Sequence, residues 1–385
     1  MKRNTVKFFI YLALGLIVFS FIEIPTGFFK TKILLLLADD NSLVMDLSVY
    51  PEENAVFCTD GATALILGLQ LYDSDHNPVP YSRIKLKFSH FSVRMKPACP
   101  ITGKDGRVTI TLIPQELYRS KAETGTEPVT ETSATIRLSA AKASPVLWEG
   151  KLANPPVLLV HGFQDTSESM VPLKDYLTSK GLYTFSLDYD TDTDLPTMAG
   201  ELEKALSEMM LELKAKGIYA KRADIVAHSL GGLVARYYTT QPIYLQKNDV
   251  HKVVFINVPH HGTPWAEAGA AILNAPFLAE LYPTSELYTS HFPASINRGL
   301  NQTIQTANIA LENDEVVPIP SSLLTSWGID TKVYRIGSEP LSLETVINNQ
   351  ITGSSRHRQL LFYTPVFEEI HHDLTSNLPY PQKRK

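Results

Sequence analysis

The chain has 385 residues, 44% of them apolar and 19% charged, which is too apolar and too charge-poor for a disordered polymer. Its formal net charge of −5 offers no basic footprint for nucleic acid, and its two cysteines, Cys58 and Cys99, are too few for a disulfide-built scaffold and lack metal-ligand spacing. At roughly 100–200 residues per domain, the length allows two or three domains.

Lys2, Arg3 and Lys7 precede an uncharged apolar run from Phe8 to Ile22. A basic start and about fifteen apolar residues have the form of a secretory signal, and fall short of the roughly twenty that span a bilayer. Residues 1–40 are therefore read as a signal peptide or signal anchor, with cleavage after Ala38 and N-terminal membrane anchorage both open. The expected location follows: exported, whether secreted, periplasmic or at the cell surface. In an oxidising compartment Cys58 and Cys99 can pair or stay as two thiols, and both readings stand.

From residue 41 to 145 the pattern is one of short alternating segments. Ala64 to Leu71 is followed by the turn cluster Asp73-Ser74-Asp75-His76-Asn77-Pro78, and Ile84 to Phe88 alternates apolar and basic residues with period two. Lys104-Asp105-Gly106 offers an Asp-Gly turn before Arg107 to Leu112, and Thr135 to Ala140 closes the series. Several short strands with turn signals between them predict an all-β sandwich. The order Leu-x-Leu, Asn-Pro-Val-Pro, Ile-x-Leu-x-Phe and Asp-Gly-Arg-Val-Thr-Ile resembles the bacterial immunoglobulin-like repeats of invasin-type surface proteins. That resemblance implies a spacer or adhesion module with a surface or matrix ligand, and supplies no catalytic residue.

Residues 146–156, with Gly150, Pro155 and Pro156, read as a linker, and residues 157–378 as an α/β domain followed by a basic tail, 379–385. Val157-Leu158-Leu159-Val160 is a continuous apolar run, as expected of a parallel strand buried on both faces. A helix over Pro172–Lys180, a strand over Tyr183–Asp188 and an amphipathic helix over about Thr197–Lys216 follow. Ala223 to Val226 then leads into Ala227-His228-Ser229-Leu230-Gly231-Gly232 and a helical stretch. A strand, a turn of small residues with Ser at its tip and a helix make a nucleophile elbow, which lifts the hydroxyl to a helix N-terminus.

With Val160-His161-Gly162-Phe163 before it and Val258-Pro259-His260-His261-Gly262-Thr263-Pro264 after it, this region resembles α/β-hydrolases of the bacterial lipase/esterase type. The resemblance implies a doubly wound, mostly parallel sheet and a triad in the chain order Ser, Asp, His. Ser229 is then the nucleophile. The Glu312-Asn313-Asp314-Glu315-Val316-Val317-Pro318 loop is similar to the family's acid loop and makes Asp314 the acid, with Glu312 and Glu315 as solvated neighbours. The ending His-x-x-Leu makes His371 the base, with Leu374 as its packing residue, in preference to His372, on a last strand and loop over Val366–Asn377. By the same pattern the oxyanion donors are the backbone N–H groups of Phe163 and Leu230. Residues 265–300, rich in Ala, Leu, Phe and Tyr, stand where such enzymes carry a lid, or form a packed insertion. There is no cofactor motif and no metal site; a structural calcium stays open.

The resulting expectation is an exported serine ester hydrolase, lipase or carboxylesterase, acting on an ester or lipid substrate and on no nucleic acid. The alternatives are a thioesterase, acyltransferase or polyester depolymerase on the same scaffold, or a surface adhesion protein with a silent hydrolase domain.

Overall fold

A computed structural model describes residues 8–10, 43–50, 55–89, 91–117, 130–267, 270, 276–337 and 355–382. The rest of the candidate leader, residues 1–7 and 11–40, lies outside the described residues. So do Ala271 to Leu273 of the candidate lid and the last three residues of the basic tail. The chain divides into two compact units, Met1–Asn154 with Leu213–Lys221, and Pro155–Glu212 with Arg222–Lys385.

The first unit holds strands β1 (Phe8–Ile10), β2 (Val44–Tyr50), β3 (Val56–Cys58), β4 (Leu65–Tyr72), β5 (Lys85–Phe88), β6 (Phe91–Lys96), β7 (Arg107–Leu117), β8 (Glu131–Ser139) and β9 (Val146–Ala153). One sheet has the order β1-β2-β4-β7-β6. The strand Ile218–Tyr219 starts the other, which runs on through β3, β9 and β8 to β5. Period-two burial explains the layering. Leu65, Leu67, Leu69 and Leu71 of β4 and Ala134, Ile136 and Leu138 of β8 face one shared apolar cluster with Phe57, Ile110 and Trp148. Lys85 and Lys87, on the other face of β5, are exposed. The Asp-Gly turn forms, with Gly106 at φ 72° and Gly103 N–H bonded to Arg107 O at 2.7 Å. A β-carbon on Gly106 would lie 2.6 Å from Leu71 O, so only glycine fits.

Two expectations are corrected or resolved here. The stretch read as a linker from its prolines, residues 146–156, is strand β9 over most of its length. It pairs antiparallel with β8 from Val146 opposite Leu138 to Ala153 opposite Glu131, and it buries Trp148 against Phe57 with ring centroids 6.2 Å apart. Cys58 and Cys99 are not bonded to each other: the first is buried and the second exposed.

The second unit is built on six strands: β10 (Val157–Val160), β11 (Thr184–Leu187), β13 (Ala223–His228), β14 (Val250–Ile256), β15 (Gln305–Leu311) and β16 (Thr331–Tyr334), where β12 is the Ile218–Tyr219 strand of the first unit. Their order is β11-β10-β13-β14-β15-β16, with every neighbouring pair parallel. Strands β10, β13 and β15 are buried at every residue, as strands covered on both faces must be. Helix α1 (Val171–Ser179) ends on Gly181 at φ 80°, where Gly181 N–H bonds Thr178 O and Leu182 N–H bonds Leu177 O, and the apolar pair Leu177 and Leu182 is buried beside it. Helix α2 (Leu195–Ala215) buries Leu202, Leu206, Met209 and Leu213 at helical spacing. Helix α3 (Leu230–Thr240) follows β13 directly.

The segment Val366–Asn377, expected as a strand and loop, is instead a helix over Thr364–Thr375. Val366, Phe367, Ile370 and Leu374 recur with a period of 3.6 rather than two, and all four pack into the cluster formed by Leu159, Val254 and Ile309. Lys252 of β14 donates to the helix-end carbonyls of Leu374 and Ser376, each at 2.7 Å, satisfying groups that a helix C-terminus leaves open.

Candidate active site

Ligands and catalytic groups in a parallel sheet gather beyond the carboxyl ends of the strands. Three strands deliver side chains there: β13 delivers Ser229, β14 delivers Asn257 and β15 delivers the loop of Asp314.

Ser229 stands between β13 and α3 at φ 52°, ψ −122°, a backbone region that a β-carbon disfavours. The surrounding glycines explain how the turn is held. A β-carbon on Gly231 would fall 2.4 Å from His161 O, and one on Gly232 would fall 2.1 Å from Val258 Cγ2. Helix α3 therefore reaches the ends of β10 and β14 more closely than any larger residue permits. Gly162 lies in the same contact, since its β-carbon would be 3.0 Å from Ser229 Cβ. That contact sets the segment carrying Phe163 against Ser229, and Leu230 opens α3 at the residue after it.

The Ser229 hydroxyl meets an imidazole, and it is that of His357. Ser229 Oγ lies 2.8 Å from His357 Nε2, and His357 Nδ1 lies 2.7 Å from Asp314 Oδ2. Asp314 Oδ1 also accepts the backbone N–H groups of Val316 (2.5 Å) and Val317 (2.7 Å), so the loop wraps its own carboxylate. His357 is buried, which disfavours its cation. The charge and hydrogen bond of Asp314, helped by Glu315, outweigh this and hold its pKa above the ordinary imidazole value.

The structure thus brings Ser229 and Asp314 together but corrects the base. His371 lies within the helix Thr364–Thr375, where its carbonyl accepts Thr375 Oγ1 at 2.8 Å, and His372 is exposed on the same helix. The choice between His371 and His372 assumed a loop where the chain forms a helix. The signal that finds His357 was present: His357-Arg358-Gln359-Leu360 also reads His-x-x-Leu, and Leu360 is fully buried in the sheet's core. Glu315 is a second correction. It is buried rather than solvated, and its Oε1 accepts Arg356 N–H at 2.6 Å, which fixes the start of the turn Arg356–Gln359 that carries His357. Glu312 is solvated as expected and pairs with Arg335 at 3.0 Å.

The other motif histidines His161, His228 and His260 are buried. His228 is buried, and burial followed by the nearby His357 pushes its pKa well below the ordinary value; its Nε2 lies 3.1 Å from His357 O. His161 stacks on Tyr189 at 4.4 Å, and Tyr189 donates to His161 O at 2.8 Å. His260 is likewise buried and held neutral, by burial first and then by Arg236. Arg236 donates to His260 O at 2.6 Å and to Gly299 O, and lies over the Phe292 ring at 3.9 Å. The described part of the 265–300 insertion is packed. Leu281 O accepts Thr263 N–H at 2.8 Å, and Tyr288 donates to Pro259 O at 2.9 Å. Among the described residues no three His, Cys, Asp or Glu side chains come together as a metal-ligand group.

An all-parallel α/β sheet with a serine at a strand-to-helix turn is consistent with the α/β-hydrolase fold. A family profile described as a domain of unknown function (DUF7379) matches residues 127–305. Among solved structures, the chain is similar to the mature form of Bacillus licheniformis lipase BlEst2, with 17% identity over 56% of this chain and 91% of that one and a TM-score of 0.37. Aspergillus fumigatus lipase B is 15% identical over 59% of this chain and 54% of its own, with a TM-score of 0.43. A metagenomic carboxyl esterase, MGS0156, is 14% identical over 56% and 76%, with a TM-score of 0.40.

Proposed function

We propose that this chain is a serine hydrolase of carboxylic esters, a lipase or carboxylesterase, with Ser229 as nucleophile, His357 as general base and acid, and Asp314 as the group that orients His357. The observation that carries the reading is the unbroken hydrogen-bonded line from Ser229 Oγ through both ring nitrogens of His357 to Asp314.

The chemistry follows from that line. A serine hydroxyl is a weak nucleophile at neutral pH, and an acceptor imidazole takes its proton as the oxygen attacks the ester carbonyl. Asp314 fixes the tautomer with the proton on Nδ1, leaves Nε2 free to accept, and stabilises the imidazolium that forms. The tetrahedral oxyanion falls to the N–H groups of Phe163 and Leu230, where one such donor is worth about 10²–10³ in rate. His357 then returns the proton to the leaving alcohol, and water, activated by the same imidazole, cleaves the acyl-enzyme. Export of the protein, an immunoglobulin-like reading of the first unit and a surface ligand for it belong to the same proposal and rest on the sequence alone.

Hydrolysis of p-nitrophenyl esters from C2 to C16 by the full chain tests the reading. Turnover that disappears in Ser229→Ala is expected, and the chain-length optimum separates esterase from lipase. An inert parent, or a Ser229→Ala variant that keeps the activity, overturns it.

A further inference from the structure

Asn257 is a residue that the triad does not require and that the sequence motifs left unassigned. It follows β14, is fully buried and takes the left-handed backbone conformation, φ 54°. Its N–H bonds Ile309 O at 2.8 Å, so the ladder between β14 and β15 continues one residue past the strand before the chain turns away. Its side chain then makes three polar contacts. Oδ1 accepts the N–H of Leu311, the last residue of β15, at 3.0 Å. Nδ2 donates to Asp314 Oδ2, and lies 3.1 Å from His357 Nδ1.

These contacts leave the amide one orientation. Leu311 N–H can only donate, so the amide oxygen faces β15 and the amide nitrogen faces Asp314. On Asp314 Oδ2 two donors then converge, the amide of Asn257 and the Nδ1–H of His357, while Oδ1 is filled by Val316 and Val317. Without Asn257, Oδ2 would keep only His357 itself as a partner, and the acid would be held by its own loop alone and not by the neighbouring strand.

We propose that Asn257 is a positioning residue for catalysis: it locks Asp314 Oδ2 onto His357 Nδ1 by tying the acid to the end of the adjacent strand. The inference rests on the proposed ester-hydrolase reading. The ionisable groups around the bond are Asp314 and Glu315 from the acid loop, His357 and Arg358 from the turn that carries the base, and His228 from the elbow.

Two variants test it, with p-nitrophenyl butyrate as substrate and rates expressed per site titrated by a fluorophosphonate. Asn257→Leu removes the donor at nearly constant volume. Its kcat is expected to fall on the order of 10²-fold, the scale of a misplaced catalytic group, with KM within about twofold of the parent. Asn257→Asp puts a carboxyl in place of the donor. Two carboxyls in contact share one proton, so the new carboxyl donates to Asp314 as the amide does until it ionises. Its per-site kcat is therefore expected to stay near the parent's at low pH and to fall as pH is raised and that proton is lost. A purely structural role would lower the number of titratable sites and leave the per-site kcat and the pH profile alone, and that result overturns the proposal. If Asn257→Leu does not fold, the isosteric Asn257→Asp variant decides alone: a per-site kcat that falls with rising pH, where the parent's does not, supports, and one that tracks the parent overturns. A parent that neither hydrolyses the ester nor takes the fluorophosphonate overturns the underlying reading instead, which separates the two failures.

Discussion

Glu315 and Arg356, far apart in sequence, tie down the short turn that carries His357 to Ser229. The bond from Arg356 N–H to Glu315 brings His357 to the acid loop, and the sequence pattern alone does not reveal it. Ser229 and Asp314 were legible as members of one site because each sits in a local motif whose geometry is fixed by its neighbours: small residues around Ser229, and an Asp whose loop N–H groups fold back on it. His357 escaped the sequence reading because His-x-x-Leu occurs twice, both leucines pack in the core of the second unit, and spacing cannot say which histidine reaches Ser229. His357→Ala is expected to lower kcat by at least about 10³-fold, as loss of a triad base does, whereas His371→Ala leaves ester turnover within about twofold. Steady-state kinetics on both variants checks this. The pH dependence has a definite sign. In the proposed mechanism neutral His357 is the working base, and Asp314 raises its pKa above the ordinary value of about 6.5. Activity therefore rises with pH through a midpoint above that value, and a kcat/KM profile with its acid limb below pH 6 would contradict the assignment.

At the scale of elements, close approach explains the paired glycines. Helix α3 meets the carbonyl of His161 and the side chain of Val258 at distances that leave no room for a β-carbon. Gly231→Ala is expected to destabilise the protein by about 1–3 kcal/mol, the range for overpacking, and to slow turnover as well, because the atom it crowds is backbone beside the Phe163 segment. Urea melts and ester kinetics on the same sample read both effects. Element type is legible where the pattern is unbroken, as in the apolar run of β10 and the helical period of α2. Two segments differ from expectation for different reasons. Val366, Phe367, Ile370 and Leu374 carry a helical period, which the expectation of a terminal strand and loop does not accommodate. The prolines that flank residues 146–153 suggest a linker, although Trp148 is the sort of large apolar side chain that a sheet buries.

At the scale of the whole molecule, the average composition concealed two unlike units. The all-β alternation of the first and the parallel sheet of the second were both readable. The assignment of Leu213–Lys221 to the first unit was not, because a two-residue strand acquires its meaning from its distant partner β3. Every group in the proposed mechanism belongs to the second unit. Trp148→Ala, in the core of the first, is therefore expected to cost about 3–5 kcal/mol in that unit without changing the rate at which Ser229 is labelled, as calorimetry and a labelling time course would show. The central claim, that Ser229 is a nucleophile driven by His357, is met most directly by treating the folded 385-residue chain with a fluorophosphonate and locating the adduct by peptide mass spectrometry. A single adduct on Ser229, lost in His357→Ala and kept in His371→Ala, is the predicted result. No adduct on Ser229, or one that survives His357→Ala and disappears in His371→Ala, would contradict it.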